Sequence, residues 1–437
     1  MSSVIGRARW RPGRLSKFTL SLGAAIAAAT VVAVPAYAQS AAAAPAQASA
    51  PAAPAAQPVT AGWQDGFVIQ SANGDNRLQL GVIVQADGRF TTDDPAPFTD
   101  TFTLRKARPT VQGRVAKYFD FRLTPEFGNG SATVLDAYVD TRFSNAFRIR
   151  AGKDKTPVGL ESLFGDPGLL FPERSLVSGL IPNRDVGFQV QGDLGGGRLS
   201  YAGGVFNGVN DGSSSTTDVD TNNGKDLAGR LLYQPFRGSN AHPALGNFGL
   251  HLGGSTGQQS GASLPAFKTS AGQTYFSYSG ASADGQRNRV SPGVYYYYKA
   301  FGVFVEYART SQDISKGGIT RTVTNDGWDV SGTFVLTGEA ASNGVIRPKR
   351  PFDPPTGTFG AAQIVARYAE LHVDQDAFDA GFAASNASQK AKQFTIGLDW
   401  YPAWLLKYYL TYERTAFSGG ADRPTENAII FRTQLAF

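Results

Sequence analysis

The chain has 437 residues, no cysteine, 51 glycines, 12% aromatic residues and a formal net charge of +6. Without cysteine it has no disulfide, no thiolate metal site and no cysteine nucleophile. Residues 1–38 hold five basic residues and no acidic ones, so the remainder carries 36 Lys+Arg against 35 Asp+Glu, and the charge makes no case for nucleic-acid binding.

In chain order, Arg7, Arg9, Arg11, Arg14 and Lys17 precede an uncharged stretch, residues 18–35, and then Ala36-Tyr37-Ala38. A basic start, an apolar middle and a small-x-small end predict a cleaved signal peptide over 1–38, with Gln39 as the new N-terminus. The competing reading is a membrane anchor, but the stretch is Ala-rich and ends at a cleavage pattern. Residues 39–61 are almost entirely Ala, Pro, Gln and Ser, which cannot bury a core and predict a disordered linker.

From residue 62 to 437 no apolar run is long enough for a membrane helix. What recurs is period-2 alternation in segments of about ten residues, broken by Gly, Asn, Asp and Pro. Phe119, Phe121, Leu123 and Phe127 alternate with Asp120, Arg122, Thr124 and Glu126. Phe394, Ile396, Leu398 and Trp400 alternate with Thr395, Gly397 and Asp399. A soluble sandwich also alternates. Here, however, charges oppose large apolar residues, and aromatic clusters such as residues 295–298, 400–401 and 408–409 suit the interfacial girdles of a barrel. In residues 427–437, Ile429, Phe431, Thr433, Leu435 and Phe437 share one face, opposite Arg432 and Gln434. A last strand ending in an aromatic residue fits recognition by the outer-membrane assembly machinery, and barrel closure leaves no open edge in lipid. The expected fold is an all-β transmembrane antiparallel barrel in the outer membrane of a Gram-negative bacterium, in contact with lipid and lipopolysaccharide. At roughly 23 residues per strand and connection it has about sixteen strands, with fourteen or eighteen also compatible.

Short blocks spread over most of this region resemble the phosphate-selective porin O and P family. They include Leu104-Arg-Lys-Ala-Arg108, Phe119-Asp-Phe-Arg122, Asp136-Ala-Tyr-Val-Asp140, Gly152-Lys-Asp-Lys-Thr-Pro157, Phe171-Pro-Glu-Arg-Ser175, Arg184-Asp-Val-Gly187 and Arg347-Pro-Lys-Arg-Pro-Phe-Asp353. The resemblance implies a sixteen-stranded homotrimeric porin with a loop folded inward to narrow each pore, and phosphate or other small anions as solutes. The sequence departs from the phosphate-selective members in having no lysine between Lys155 and Lys225, where they carry a constriction-loop lysine. Their paired arginines stand here as Arg105-Lys106. A broader anion or general small-solute porin fits as well as a phosphate-selective one.

Alternation over 102–115 puts Lys106, Arg108, Gln112 and Arg114 on one polar face, joined by Arg122, Arg142, Arg148 and Arg150 from the following strands. Arg and Lys lining a low-dielectric neck lower the barrier for anions, and guanidinium forks suit phosphate or carboxylate oxygens. These bases can equally pair with acids on neighbouring strands and fill the wall. Residues 156–182 are too long and too apolar for a hairpin turn, since Leu169, Leu170, Phe171 and Leu180 would be costly in water. The segment reads as a loop packed inside the barrel, bringing Arg174 and Arg184 with Glu161, Asp166 and Glu173. Arg347, Lys349 and Arg350 form a second basic cluster, read as an outer vestibule.

His242, His251 and His372 lie far apart and without catalytic context, as loop or wall residues. Residues 218–222 start like a calcium loop, but Gly224 comes one position late and Gly229 stands where the bidentate Glu belongs. No cofactor or catalytic residue is expected. The alternative to a porin is a barrel enzyme such as a lipase, which needs a nucleophile and a histidine base on the lipid-facing side.

Overall fold

The computed structural model describes residues 58–215, 220 and 222–437. The expected signal peptide, most of the expected linker and most of residues 218–222 lie outside this set. The strands are β1 (Val59–Trp63), β2 (Phe67–Ser71), β3 (Arg77–Thr91), β4 (Thr101–Val115), β5 (Phe119–Glu126), β6 (Thr133–Arg142) and β7 (Arg148–Lys155). They continue as β8 (Arg184–Leu194), β9 (Leu199–Phe206), β10 (Asp226–Tyr233), β11 (Phe248–Gly261), β12 (Ala266–Lys268), β13 (Thr274–Ser277) and β14 (Ser282–Tyr298). The last are β15 (Phe301–Lys316), β16 (Ile319–Val335), β17 (Ala361–His372), β18 (Ser388–Ala403), β19 (Leu406–Gly420) and β20 (Glu426–Ala436).

β3–β11 and β14–β20 form a closed barrel of sixteen antiparallel strands, each paired with its sequence neighbour. β12 and β13 make a separate hairpin in the connection between β11 and β14. Closure comes from β20, whose Ala428–Ala436 pairs with Ile83–Thr91 of β3. At its end the Val82 N–H donates to Phe437 O at 3.0 Å, and the Phe437 N–H donates to Val82 O at 3.1 Å. The remaining edge of β3, Arg77–Leu80, is taken by β2, which pairs in turn with β1. Trp63 packs against Phe67 and Phe437 with ring centres 4.8 and 5.1 Å apart, so this hairpin continues the seam where β20 stops. Val59, Thr60 and Ala61 were expected in the linker. They are strand residues because the vacant β3 edge gives their hairpin somewhere to pair.

The wall is turned inside out relative to a soluble sheet. Phe119, Leu123, Val139, Phe188, Phe394, Ile396, Leu398 and Phe431 are exposed on its outer face, whereas Asp87, Asp140, Arg367, Gln393, Asp399 and Arg432 are buried on its inner face. Exposed outer apolar groups are at home only in lipid, and the buried charges require a lumen. The aromatic clusters divide between the faces, because successive strand residues point opposite ways. Tyr296 and Tyr298 stack on the outside, while Tyr295 and Tyr297 are buried within. Trp400 and Tyr408 likewise stack on the outer face at 5.3 Å, and Tyr401 and Tyr409 are buried. Gly195, Gly196 and Gly197 link β8 to β9 with φ of +58°, +69° and +83°, a left-handed run that explains the triple glycine as a tight turn.

Strand alternation sorts the connections. The turns after β4, β6, β8, β14 and β18 lie at the end that carries Phe437, as does the longer 336–360 connection. Residues 156–183 and 262–281 start from the opposite end.

Candidate permeation path

Residues 156–183, between β7 and β8, are held by polar side chains of β15, β17, β19 and β20. Leu169 O accepts from Lys407 Nζ at 2.8 Å, Pro167 O from Gln434 Nε2 at 3.2 Å and Glu173 O from Arg367 Nη1 at 3.0 Å. Pro172 O accepts from Arg432. The Leu160 and Glu161 amides donate to Glu306 at 2.7 and 2.8 Å. Leu169, Phe171 and Leu180 are buried, as their cost in water requires.

Two acids of this segment collect bases from β3, β4, β20 and the segment itself. Asp166 Oδ2 lies 2.9 Å from Lys106 Nζ and also meets Arg108, and Arg174 Nη2 lies 2.8 Å from Oδ1. Burial alone would raise this carboxyl, but Lys106, Arg174 and Arg108 outweigh burial and hold it well below the usual carboxylate range. Glu173 receives Arg89, Arg105 and Arg432 at 2.6, 2.7 and 2.9 Å. It too is held well below its usual range, with burial opposing and Arg105, Arg432 and Arg89 prevailing.

A β-bulge explains how Arg105 and its neighbour Lys106 both point inward. Gln85 pairs with Lys106 but Ala86 with Leu104, so Arg105 is the extra residue and the inward phase switches there. Strict alternation leaves Arg105 on the other face; only the resemblance singled it out.

The remaining wall bases also meet acids. Arg184 and Arg122 share Asp136 at 2.7 and 3.6 Å, and Arg114 and Arg142 share Asp120 at 2.7 and 3.3 Å. Arg148 pairs with Asp193 at 3.0 Å. Arg150 pairs with Asp140 at 2.7 Å and with Asp154, and its guanidinium sits 3.7 Å from the Tyr138 ring centre. The expected pairing of these bases with acids on neighbouring strands is therefore present.

The second basic cluster, read as an outer vestibule, lies at the end of the barrel that carries Phe437. Residues 336–360 join β16 to β17 at the Phe437 end, because sixteen alternating strands put that connection on the same side as the last residue. There Arg347 pairs with Asp65 at 2.8 Å, both more than half exposed, and its guanidinium lies 4.6 Å from the Trp404 ring centre. Lys349 Nζ donates to Gly338 O at 2.6 Å, and Arg350 is exposed.

Arg89, Arg230, Arg287, Arg289, Arg367 and Lys407 were not singled out from the sequence, although all face inward. Alternation on β3, β10, β14, β17 and β19 would have found them. Arg287 and Arg289 grip Asp226, and Arg289 also reaches Asp211. His242 lies in a connection, His251 is buried in β11, and His372 ends β17 at 3.4 Å from Asp326.

Two cavities flank the segment. One of 880 Å³ is lined by residues from Arg89 and Arg105 to Ser270, and one of 520 Å³ extends toward Trp404 and Phe437. Among the described residues, Arg108, Asp166 and Arg184 line both.

The sequence model of the phosphate-selective porin O and P family matches residues 78–437. The chain belongs to that family. No curated protein matches it. Among solved structures, the outer membrane channel DcaP of Acinetobacter baumannii has a TM-score of 0.54 at 13% identity, over 85% of this chain and 99% of that one. The outer membrane protein OmpT of Vibrio cholerae scores 0.53 at 10% identity, over 83% and 98%. An anion-selective porin from Comamonas acidovorans scores 0.50 at 14% identity, over 83% and 100%. At these identities the likeness is one of fold. Family and barrel together describe a porin of the Gram-negative outer membrane.

Proposed function

We propose that this porin passes small hydrophilic solutes by diffusion and favours anions, with residues 156–183 as its constriction. The observation carrying this reading is the balance of charge along the path. The 880 Å³ cavity is lined by Arg89, Arg105, Lys106, Arg108, Arg174, Arg184 and Lys268 against Asp166, Glu173 and Asp211. The other cavity has Arg108, Arg122, Arg150, Lys155, Arg184 and Arg230 against Asp65, Asp136, Asp154 and Asp166. Bases outnumber acids in both, and low-dielectric walls focus that excess on a passing ion.

A general small-solute porin is the second reading, favoured by the engagement of Arg105, Lys106 and Arg108 with acids. Homotrimeric assembly fits the trimer form known for the Vibrio OmpT structure. The outward apolar face would meet lipid and lipopolysaccharide, and β20 would engage the assembly machinery. The test is the reversal potential of single pores in a planar bilayer under a KCl gradient. A potential favouring chloride is expected. A potential favouring potassium defeats the anion reading and leaves the porin intact.

A further inference from the structure

Within the proposed constriction, three bases already surround an anion that belongs to the protein. We infer that Asp166 is the resident occupant of an oxyanion-binding site built from Lys106, Arg108 and Arg174. By filling that site it makes the pore one that conducts anions without retaining them. This rests on the anion reading above and adds the residue that sets its specificity.

Three observations carry the inference. First, three cationic side chains from two separate parts of the chain, β4 and the 156–183 segment, converge on the two oxygens of one carboxylate. Three charged donors around two oxygens are the arrangement a bound phosphate or carboxylate would receive. Second, Asp166 and Arg108 line both cavities, and Lys106 and Arg174 line the larger one, so the cluster is accessible to a solute in that cavity.

Third, the carboxylate is fixed in place. It sits in a tight turn, Asp166–Gly168, whose next carbonyls are held by Gln434 and Lys407. A Cβ on Gly168 would come 2.8 Å from Asn343 O and 2.9 Å from Gly344 Cα, so the backbone of the 336–360 connection backs the turn directly. These contacts hold the backbone of the turn with the Asp166 carboxylate directed at the three bases. A mobile oxyanion meets three bases whose charge is already partly cancelled, and Arg108 is further occupied by Glu126.

The experiment uses the full-length purified porin in planar bilayers, with chloride as the current carrier and inorganic phosphate as the blocking probe. Asp166→Asn keeps the side-chain size and removes the charge. It should lower the half-blocking phosphate concentration at least tenfold (about 1.4 kcal/mol of added binding). Asp166→Ser should act in the same direction and serves if the Asn variant fails to assemble. Adding Lys106→Gln to either variant should reverse the gain. A purely structural role for Asp166 would instead change chloride conductance and phosphate sensitivity together, with no gain in block. A chloride-selective wild type whose neutral variants show no gain in phosphate block overturns the inference and leaves the anion reading standing. A potassium-selective wild type means that the anion reading has failed first.

Discussion

Residues 156–183 leave the barrel wall at one end, between β7 and β8, and residues 336–360 leave it at the other, between β16 and β17. Both are long, the first carries Arg174 and the second Arg347 and Arg350, and both send apolar side chains inward. Leu160 and Phe164 of the first meet Ala341 and Ile346 of the second in one cluster with Tyr295, Tyr297 and Tyr401. Their charges differ. Asp166, Glu173 and Arg174 of the first segment lie among opposite charges from the wall or the segment itself, shielded from bulk water. Arg347 of the second pairs with an exposed aspartate at the rim, and Arg350 faces solvent. An arginine in a long connection therefore says little about the role of that connection. What decides the role is whether wall carboxylates and low exposure meet it there.

Three substitutions break or sharpen this contrast. Arg432→Ala should have the largest effect. Arg432 is 1% exposed and bridges Asp87, Glu173 and Pro172 O. Removing one partner of such a buried pair costs roughly 3–5 kcal/mol. The expected readout is a clear drop in the temperature at which the barrel loses its heat-modifiable gel migration, and an unchanged temperature would show that the segment does not depend on the wall. Gly168→Ala tests the meeting of the two segments. Its Cβ would crowd backbone atoms of Asn343 and Gly344 at under 3 Å, which as overpacking costs about 1–3 kcal/mol. Noisier or larger single-pore conductance should accompany the stability loss. Unaltered pores would mean that the contact yields freely. Arg347→Ala should do least. A pair exposed by 59% and 61% is worth about 0.5 kcal/mol, and the reversal potential should stay where it was. A shift toward cations would make the Phe437-end rim part of the filter after all.

Much of the barrel was legible because alternation is a local property. On β5, β6, β18 and β20 the residues expected to face lipid and lumen do so, since a strand has only two faces and one residue's face sets its neighbours'. Legibility fails where the period breaks. The bulge at Arg105 turns two adjacent bases inward, and no periodic rule finds it. β1 also escaped, since Val59-Thr-Ala is composed like a linker and becomes strand only because the β3 edge beyond Phe437 is free to pair. The site was legible as a set of candidate residues and illegible as a set of partners. Arg105, Lys106 and Arg108 could be named from one strand, but Glu173 and Asp166, which bind them, lie 58 to 68 residues away.

By itself the sequence determined the class of molecule: period-2 segments with charges opposite large apolar groups, glycine turns and a closing aromatic strand admit a membrane barrel and little else. Its short blocks carried the resemblance to the family, which the family model over residues 78–437 shows. Only the tertiary structure decided where the charge lies, which bases are neutralised, at which end residues 347–350 sit, and that Asp166 meets Lys106, Arg108 and Arg174. The physical reason is range. Facing is settled between adjacent residues, whereas an ion pair in a lumen is settled by strand count, register and the path of a connection through the interior, and no single stretch of chain encodes all three.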